Sequence, residues 1–188
     1  AQLAHETPRP LRGLPCVPCG CAVLPKLSTG CCIGRGAFGV VKTARVRGCG
    51  RLACKEGAAG TLAWEAWVLA ALDHPNVVKL VGMHLAEEGA RLVMPRHDTS
   101  LFAYLHRSSG FWRWQKRRML SHGQILRVGC GIAAACAYLA TKKVVHGDLK
   151  SGNVLLDLRS LKPVLCDFGN AMCCLAPRRQ ERMGTPHW

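Results

Sequence analysis

Two polar clusters interrupt the apolar second half of this 188-residue chain: His146-Gly147-Asp148-Leu149-Lys150-Ser151-Gly152-Asn153, and Asp167-Phe168-Gly169. The carboxylates of Asp148 and Asp167 and the amide of Asn153 are hard oxygen donors, suited to a divalent cation such as magnesium. A carboxylate placed beside a hydroxyl nucleophile can also take its proton. Far upstream, Gly34-x-Gly36-x-x-Gly39-x-Val41 supplies glycines that let backbone N–H groups come close to phosphate oxygens. Between these regions Leu52-Ala53-Cys54-Lys55 is an apolar run ending in a lysine, and burying that lysine is tolerable only if it is paired. Glu65 on the following helix is the candidate partner; a lysine reaching solvent from a strand end is the alternative.

The elements that must position these residues follow from periodicity. The glycine spacing also occurs where a strand enters a dinucleotide-binding helix, with an acidic residue about 20 positions later. Here the β-branched Val40 and Val41 follow instead, so the glycines read as a turn between two strands. A third strand ends at Lys55. Leu62, Trp64, Trp67, Val68, Ala71 and Leu72 recur at helical spacing and predict a helix over 61–72, stopped by Asp73-His74-Pro75-Asn76. Strands are predicted over 77–85 and 91–94, then a short helix over 100–106 and a long, apolar, buried helix over 125–140. Short strands are expected at 144–145, 154–156 and 164–166. Strands around one helix, then helices with short strand pairs, predict an α+β, two-lobed body.

Composition narrows the rest. Hydrophobic residues make up 49% of the chain, which excludes wholesale disorder. The longest nearly apolar stretch, Gly129 to Ala140, is about twelve residues against the about 20 that cross a bilayer, so no membrane insertion is expected. Neither a basic start nor an apolar segment at the N-terminus suggests a signal peptide. Several of the twelve cysteines (Cys54, Cys130, Cys136, Cys166) fall in apolar runs, as core thiols of a reducing cytoplasm or nucleus do. Cys16-x-x-Cys19-x-Cys21 in the Pro/Gly/Cys-rich tail of residues 1–26 matches no common zinc spacing well. The net charge of +15, with Arg113, Lys116, Arg117 and Arg118 beside Trp112 and Trp114, leaves nucleic-acid contact open. A solvated surface loop is the favoured reading of that cluster.

Taken in order, the glycine loop, strand lysine, helix glutamate, HxDxKxxN and Asp-Phe-Gly resemble the protein kinase family, serine/threonine type. Glu65-x-x-x-Leu69-x-x-Leu72-x-His74-Pro75-Asn76 and Gly184-Thr185-Pro186-x-Trp188 extend the resemblance, which runs from about residue 27 to the end. It implies a two-lobed kinase-like fold: a small antiparallel sheet lobe with hinge over 27–97, and a partial helical lobe over 98–188 that stops after the activation segment. It implies protein substrates, with ATP and Mg2+ as cofactors. Ile33, Gly34, Arg35, Gly36, Ala37, Phe38 and Gly39 would cover the nucleotide, Lys55 would hold its phosphates and pair with Glu65, and Asn153 and Asp167 would take magnesium. Asp148 would accept the substrate's hydroxyl proton, with Lys150 and Thr185 beside it. Val41, Ala53 and Leu155 would sandwich adenine, Met94 would be the gatekeeper, and Pro95 to His97 the hinge. Leu69, Leu80, His146 and Phe168 would form the apolar column joining the lobes. Leu92-Val93-Met94-Pro95-Arg96, followed by Leu101-Phe102-x-Tyr104-Leu105, is similar to hinge segments of herpesvirus-encoded serine/threonine kinases.

Three departures bear on activity. Gly147 stands where the family often has an arginine that clamps a phosphorylated activation loop, and no Ser, Thr or Tyr lies between Asp167 and Gly184. Together they predict activity without phosphorylation of that loop. Lys55 and Glu65 are ten positions apart, closer than the family usually has them, so either the pair forms across a short connection or the helix is displaced. The chain ends before the family's Ala-Pro-Glu segment, so apolar faces such as that of 125–140 are expected to be partly uncovered. An inactive binding module acting through protein contacts is the alternative to an enzyme.

Overall fold

The computed structural model describes residues 27–36, 39–86, 89–106 and 120–174. The glycine turn makes an antiparallel hairpin of β1 (Ser28–Gly36) and β2 (Gly39–Arg45), and β3 (Leu52–Gly57) pairs with β2. Two further strands, β4 (Gly82–Ala86) and β5 (Gly89–Pro95), complete a five-stranded sheet in the order β1-β2-β3-β5-β4. Alternation sends successive β3 side chains to opposite faces. Cys54 joins Ala44, Leu52 and Val93 in a small apolar cluster, while Ala53 belongs to the main core.

Only Ala58 separates β3 from α1 (Ala59–Ala70). No side chain caps the start of this helix, so packing holds it in place: Leu62, Ala66, Val68 and Leu69 are all essentially inaccessible. Each such burial contributes about 1.5–3 kcal/mol for the larger side chains. The helix begins two residues before the expected 61 and ends at Ala70, two before the expected 72.

The second lobe contains the two-residue β6 (Thr99–Ser100), α2 (Leu101–His106), α3 (His122–Thr141) and β7 (Val144–Val145). A single 3-10 turn, Ser151–Asn153, leads into β8 (Val154–Leu156), followed by β9 (Pro163–Leu165) and β10 (Met172–Cys173). β8 pairs with β6 and β9, and β10 closes back on β7. The core crosses from lobe to lobe without a break, from Leu62, Leu69 and Leu92 to Leu139, Leu165 and Phe168.

Three sequence expectations need correction. Residues 77–81 do not extend β4. The start of this stretch turns to the other lobe, where Val77 bridges Leu165, Val78 N–H donates to the Leu165 carbonyl (2.8 Å) and Leu165 N–H donates to that of Asn76 (2.8 Å), while Val81 N–H already donates to the Val93 carbonyl of β5 (2.8 Å). The apolar alternation there serves an inter-lobe seam. The helix over 125–140 is longer than expected and not buried as a whole: only Val128, Ala135 and Leu139 are inside, while Ile125 and Leu126 are 52% and 67% exposed. Cys130 lies on its exposed side, not in the core. By length and composition α3 is apolar enough to cross a bilayer, which the sequence reading did not anticipate because His122, Gln124 and Arg127 break up its first turns. Here its buried line packs against β9 and β7.

Candidate active site

Lys55 points from β3 toward α1, and the short connection brings Glu65 to it. Its Nζ lies 2.6 Å from Glu65 Oε2 and 2.7 Å from Asp167 Oδ1. The ten-residue spacing therefore closes the pair, and the helix is not displaced. Gly39 makes room where β3 ends: at φ 138° its backbone lies against the Glu56 carbonyl, which a Cβ would strike. Burial alone would push the Lys55 ammonium down, but the Glu65 and then the Asp167 carboxylates outweigh it and hold it above the usual lysine value. Glu65 is 1% exposed, and its second oxygen accepts the Phe168 N–H at 3.3 Å. Asp167 itself sits in the left-handed region at φ 66°, a conformation Asp tolerates better than most residues.

Asp148, Lys150 and Asn153 come together on the loop between β7 and β8. Lys150 Nζ is 2.8 Å from Asp148 Oδ2, and Asn153 Nδ2 donates to that same oxygen (3.1 Å) and to the Asp148 carbonyl (2.8 Å). The Asn153 main chain is fixed as well, its N–H on the Lys150 carbonyl and its carbonyl taking the Cys166 N–H at 3.0 Å. With its amide N–H groups committed to Asp148, Asn153 presents Oδ1 as its remaining oxygen donor.

His146 underlies this loop. Its Nε2 lies 3.0 Å from the Cys166 carbonyl, so that nitrogen donates, and Nδ1 accepts the Asp148 N–H at 3.3 Å. Burial holds its pKa below the usual histidine value. The ring packs against Phe168 with centroids 4.7 Å apart. Leu69 and Phe168 belong to one core cluster, with Leu80 packed against it. Gly147 has φ 78°, and a Cβ there would run into the Asn170 carbonyl. An arginine does not fit this backbone.

On the other side of the cleft, Gly34 pairs with Val41, Val41 with Lys55, and Ala53 with Met94. Ile33, Arg35 and Gly36 are exposed, Val41 and Leu155 are half-buried, and Ala53 and Met94 are buried. Ala37, Phe38 and Thr185 lie outside the described residues, as do the basic-aromatic cluster at 112–118 and Cys16, Cys19 and Cys21.

His97, expected at the nucleotide as part of the hinge, lines a cavity of about 490 Å³ with Leu72, Pro75, Pro95, Asp157 and Lys162. Burial lowers its pKa, against the pull of Asp157 and Asp98. The sequence reading also missed Asp98, which accepts from Arg51 (2.8 Å) and from the Leu158 N–H (3.0 Å) and so pins the hinge to both lobes. Those two donors hold its carboxyl below the usual range.

The sequence model of the family described as protein tyrosine and serine/threonine kinase matches residues 27–184. The chain belongs to the protein kinase family. Among curated kinases, it is 33% identical over 166 residues to the serine/threonine-protein kinase TAO2 of Homo sapiens, covering 83% of this chain and 13% of that protein. It is 30% identical over 151 residues to the G-type lectin S-receptor-like serine/threonine-protein kinase SD1-1 of Arabidopsis thaliana, covering 74% and 17%. The serine/threonine-protein kinase US3 homolog of Varicella-zoster virus is 32% identical over 109 residues, covering 58% and 25%. The chain spans a quarter or less of the length of these three relatives. An animal, a plant and a herpesvirus kinase stand at similar identity, so these matches carry the kinase family and not an origin. The two-lobed fold agrees with that membership, and the closed lysine–glutamate pair is the arrangement that phosphoryl transfer in the family needs.

Proposed function

We propose that this chain carries protein serine/threonine kinase activity: magnesium-dependent transfer of the γ-phosphate of ATP to serine or threonine hydroxyls, without phosphorylation of the activation segment. The observation that carries the proposal is the meeting of separate stretches in one cleft. Lys55 is bonded to Glu65 and Asp167, and Asp148 is held by Lys150 and Asn153.

The donor set fits magnesium. Asp167 commits one oxygen to Lys55, and Asn153 keeps Oδ1, so each offers an oxygen of the hard type that magnesium takes. Asp167 and Asn153 would hold the ion, whose chemistry there would be to neutralise the charge of the nucleotide phosphates. Lys55, fixed by Glu65, holds phosphate oxygens; the glycine loop covers them with backbone N–H groups. Ala53, Val41 and Leu155 offer apolar faces to adenine, and the hinge backbone at His97 offers its hydrogen-bonding edge. Asp148, oriented through Oδ2, takes the proton of the incoming hydroxyl, and Lys150 places a positive charge beside it. Positioning and charge neutralisation are the main demands of phosphoryl transfer, and this cleft is built for both.

Independence from loop phosphorylation rests on Gly147 and on the absence of Ser, Thr and Tyr from residues 168–183. Without an arginine clamp there is nothing for a loop phosphate to meet at that position. Acidic protein substrates suit the net charge of +15, and the free core thiols suit an intracellular site of action.

The test is γ-phosphate transfer from Mg-ATP to a mixed serine/threonine peptide library. Asp148→Asn should lower the rate by about 10²–10⁴-fold, the span of a lost general base. Chelating magnesium should abolish transfer. Nucleotide binding with no transfer would replace the enzyme reading with that of a binding module.

A further inference from the structure

The turn that follows Asp167 is closed on itself, the Ala171 N–H donating to the Phe168 carbonyl at 3.0 Å. Consecutive residues of α1 hold both ends of it. Glu65 accepts the Phe168 N–H, and the indole Nε1 of Trp64 donates to the Ala171 carbonyl at 3.0 Å. Ala171 is buried, so its carbonyl is shielded and the indole is its partner there. Trp64 is itself steadied by Trp67, whose ring stacks on it at 5.1 Å and 22°. Beneath the turn, the left-handed Gly147 lets the Asn170 carbonyl settle against the catalytic loop. Beyond it, β10 pairs with β7, and the Cys174 N–H donates to the Lys143 carbonyl at 3.0 Å.

We propose that Trp64 is a positioning residue: its indole N–H clasps the Phe168–Ala171 turn to α1 and so fixes Asp167 and the Lys55–Glu65 pair in one arrangement. The clasp is made of side-chain and backbone groups that are always present, so it needs no phosphate to form. The inference rests on the kinase reading only for its catalytic consequence; the clasp itself is a statement about α1 and the turn.

Trp64→Phe removes the donor and keeps a ring, whereas Trp67→Phe removes stacking surface and leaves the donor. Amide hydrogen exchange read over residues 168–174 of the whole chain needs no phosphate transfer. Trp64→Phe should speed exchange there by about five- to tenfold, the effect of one buried hydrogen bond, while Trp67→Phe stays within about twofold. If Trp64→Phe fails to fold, benzothienylalanine at position 64 keeps the shape, lacks the N–H and carries the same expectation. In phosphotransfer, Trp64→Phe should lose kcat severalfold, whereas Ser121→Ala, which also gives up one side-chain hydrogen bond but lies far from the turn, should keep it, a split that a merely structural role does not produce. Exchange unchanged in the Trp64 variant, or equally fast in both variants, overturns the clasp. The expected exchange pattern in a chain that transfers no phosphate upholds the clasp and overturns the kinase reading alone.

Discussion

At the scale of single residues, His146 ties protonation to stability. Its neutral ring has one donor and one acceptor, and both are used: Nε2–H toward the Cys166 carbonyl, Nδ1 from the Asp148 N–H. Protonating Nδ1 would set two N–H groups against each other. Its pKa is lowered on folding, so the unfolded chain binds the proton first as pH falls. Stability should therefore be flat above about pH 6.5 and fall on acidification below it, until the folded-state pKa is passed. His97, also lowered by burial, adds to this slope, so His146→Phe should remove part of it in melting curves between pH 7 and 5. Gly147 gives a second residue-scale prediction. Gly147→Ala places a Cβ against the Asn170 carbonyl at a positive φ, and should lower stability by about 1–3 kcal/mol in urea titrations. The Lys55–Glu65 pair was readable from sequence because an apolar strand cannot bury a lone lysine. The clamp at Asp98 was not, since its donors, Arg51 and Leu158, lie 47 and 60 positions away in the chain.

At the scale of elements, legibility followed pattern length. α1 and the glycine hairpin were visible through repeated apolar positions and β-branched residues. β10, at two residues, has no period to detect, and it exists because β7 offers it a partner. The start of α3 was misplaced because apolar spacing begins at Ile125, while the signal that sets it is polar. Ser121 Oγ accepts the Gln124 N–H and Gln124 Oε1 accepts the Ser121 N–H, a reciprocal cap that starts four residues upstream of that pattern. Ser121→Ala should cost about 1 kcal/mol, read as a lower urea midpoint at unchanged slope. Ile125 and Leu126 lie on the outer side of the same element.

At the scale of the whole molecule, the lobes are joined by more than the hinge. The exit of α1 is sewn to the second lobe: Asp73 N–H to the Tyr138 hydroxyl (2.8 Å), His74 stacked on Tyr138 (4.9 Å), and Asn76 Nδ2 to the Pro163 carbonyl (2.7 Å). Asn76→Ala leaves the Pro163 carbonyl without that donor. It should cost about 1–3 kcal/mol and raise amide exchange at Val78 and Leu165, which close the adjacent backbone bridge. This seam was misread as a strand because an apolar alternation records burial, not which partner supplies it.

The seam also sets how the cleft can breathe. A stretch bonded to the second lobe at the foot of α1 acts as a fulcrum, while the five-stranded sheet is the lever arm. Tilting the lever moves the glycine loop farthest and the foot of α1 least. A nucleotide bound as proposed would thus enter and leave beneath the loop while the base of the helix that carries Glu65 keeps its footing.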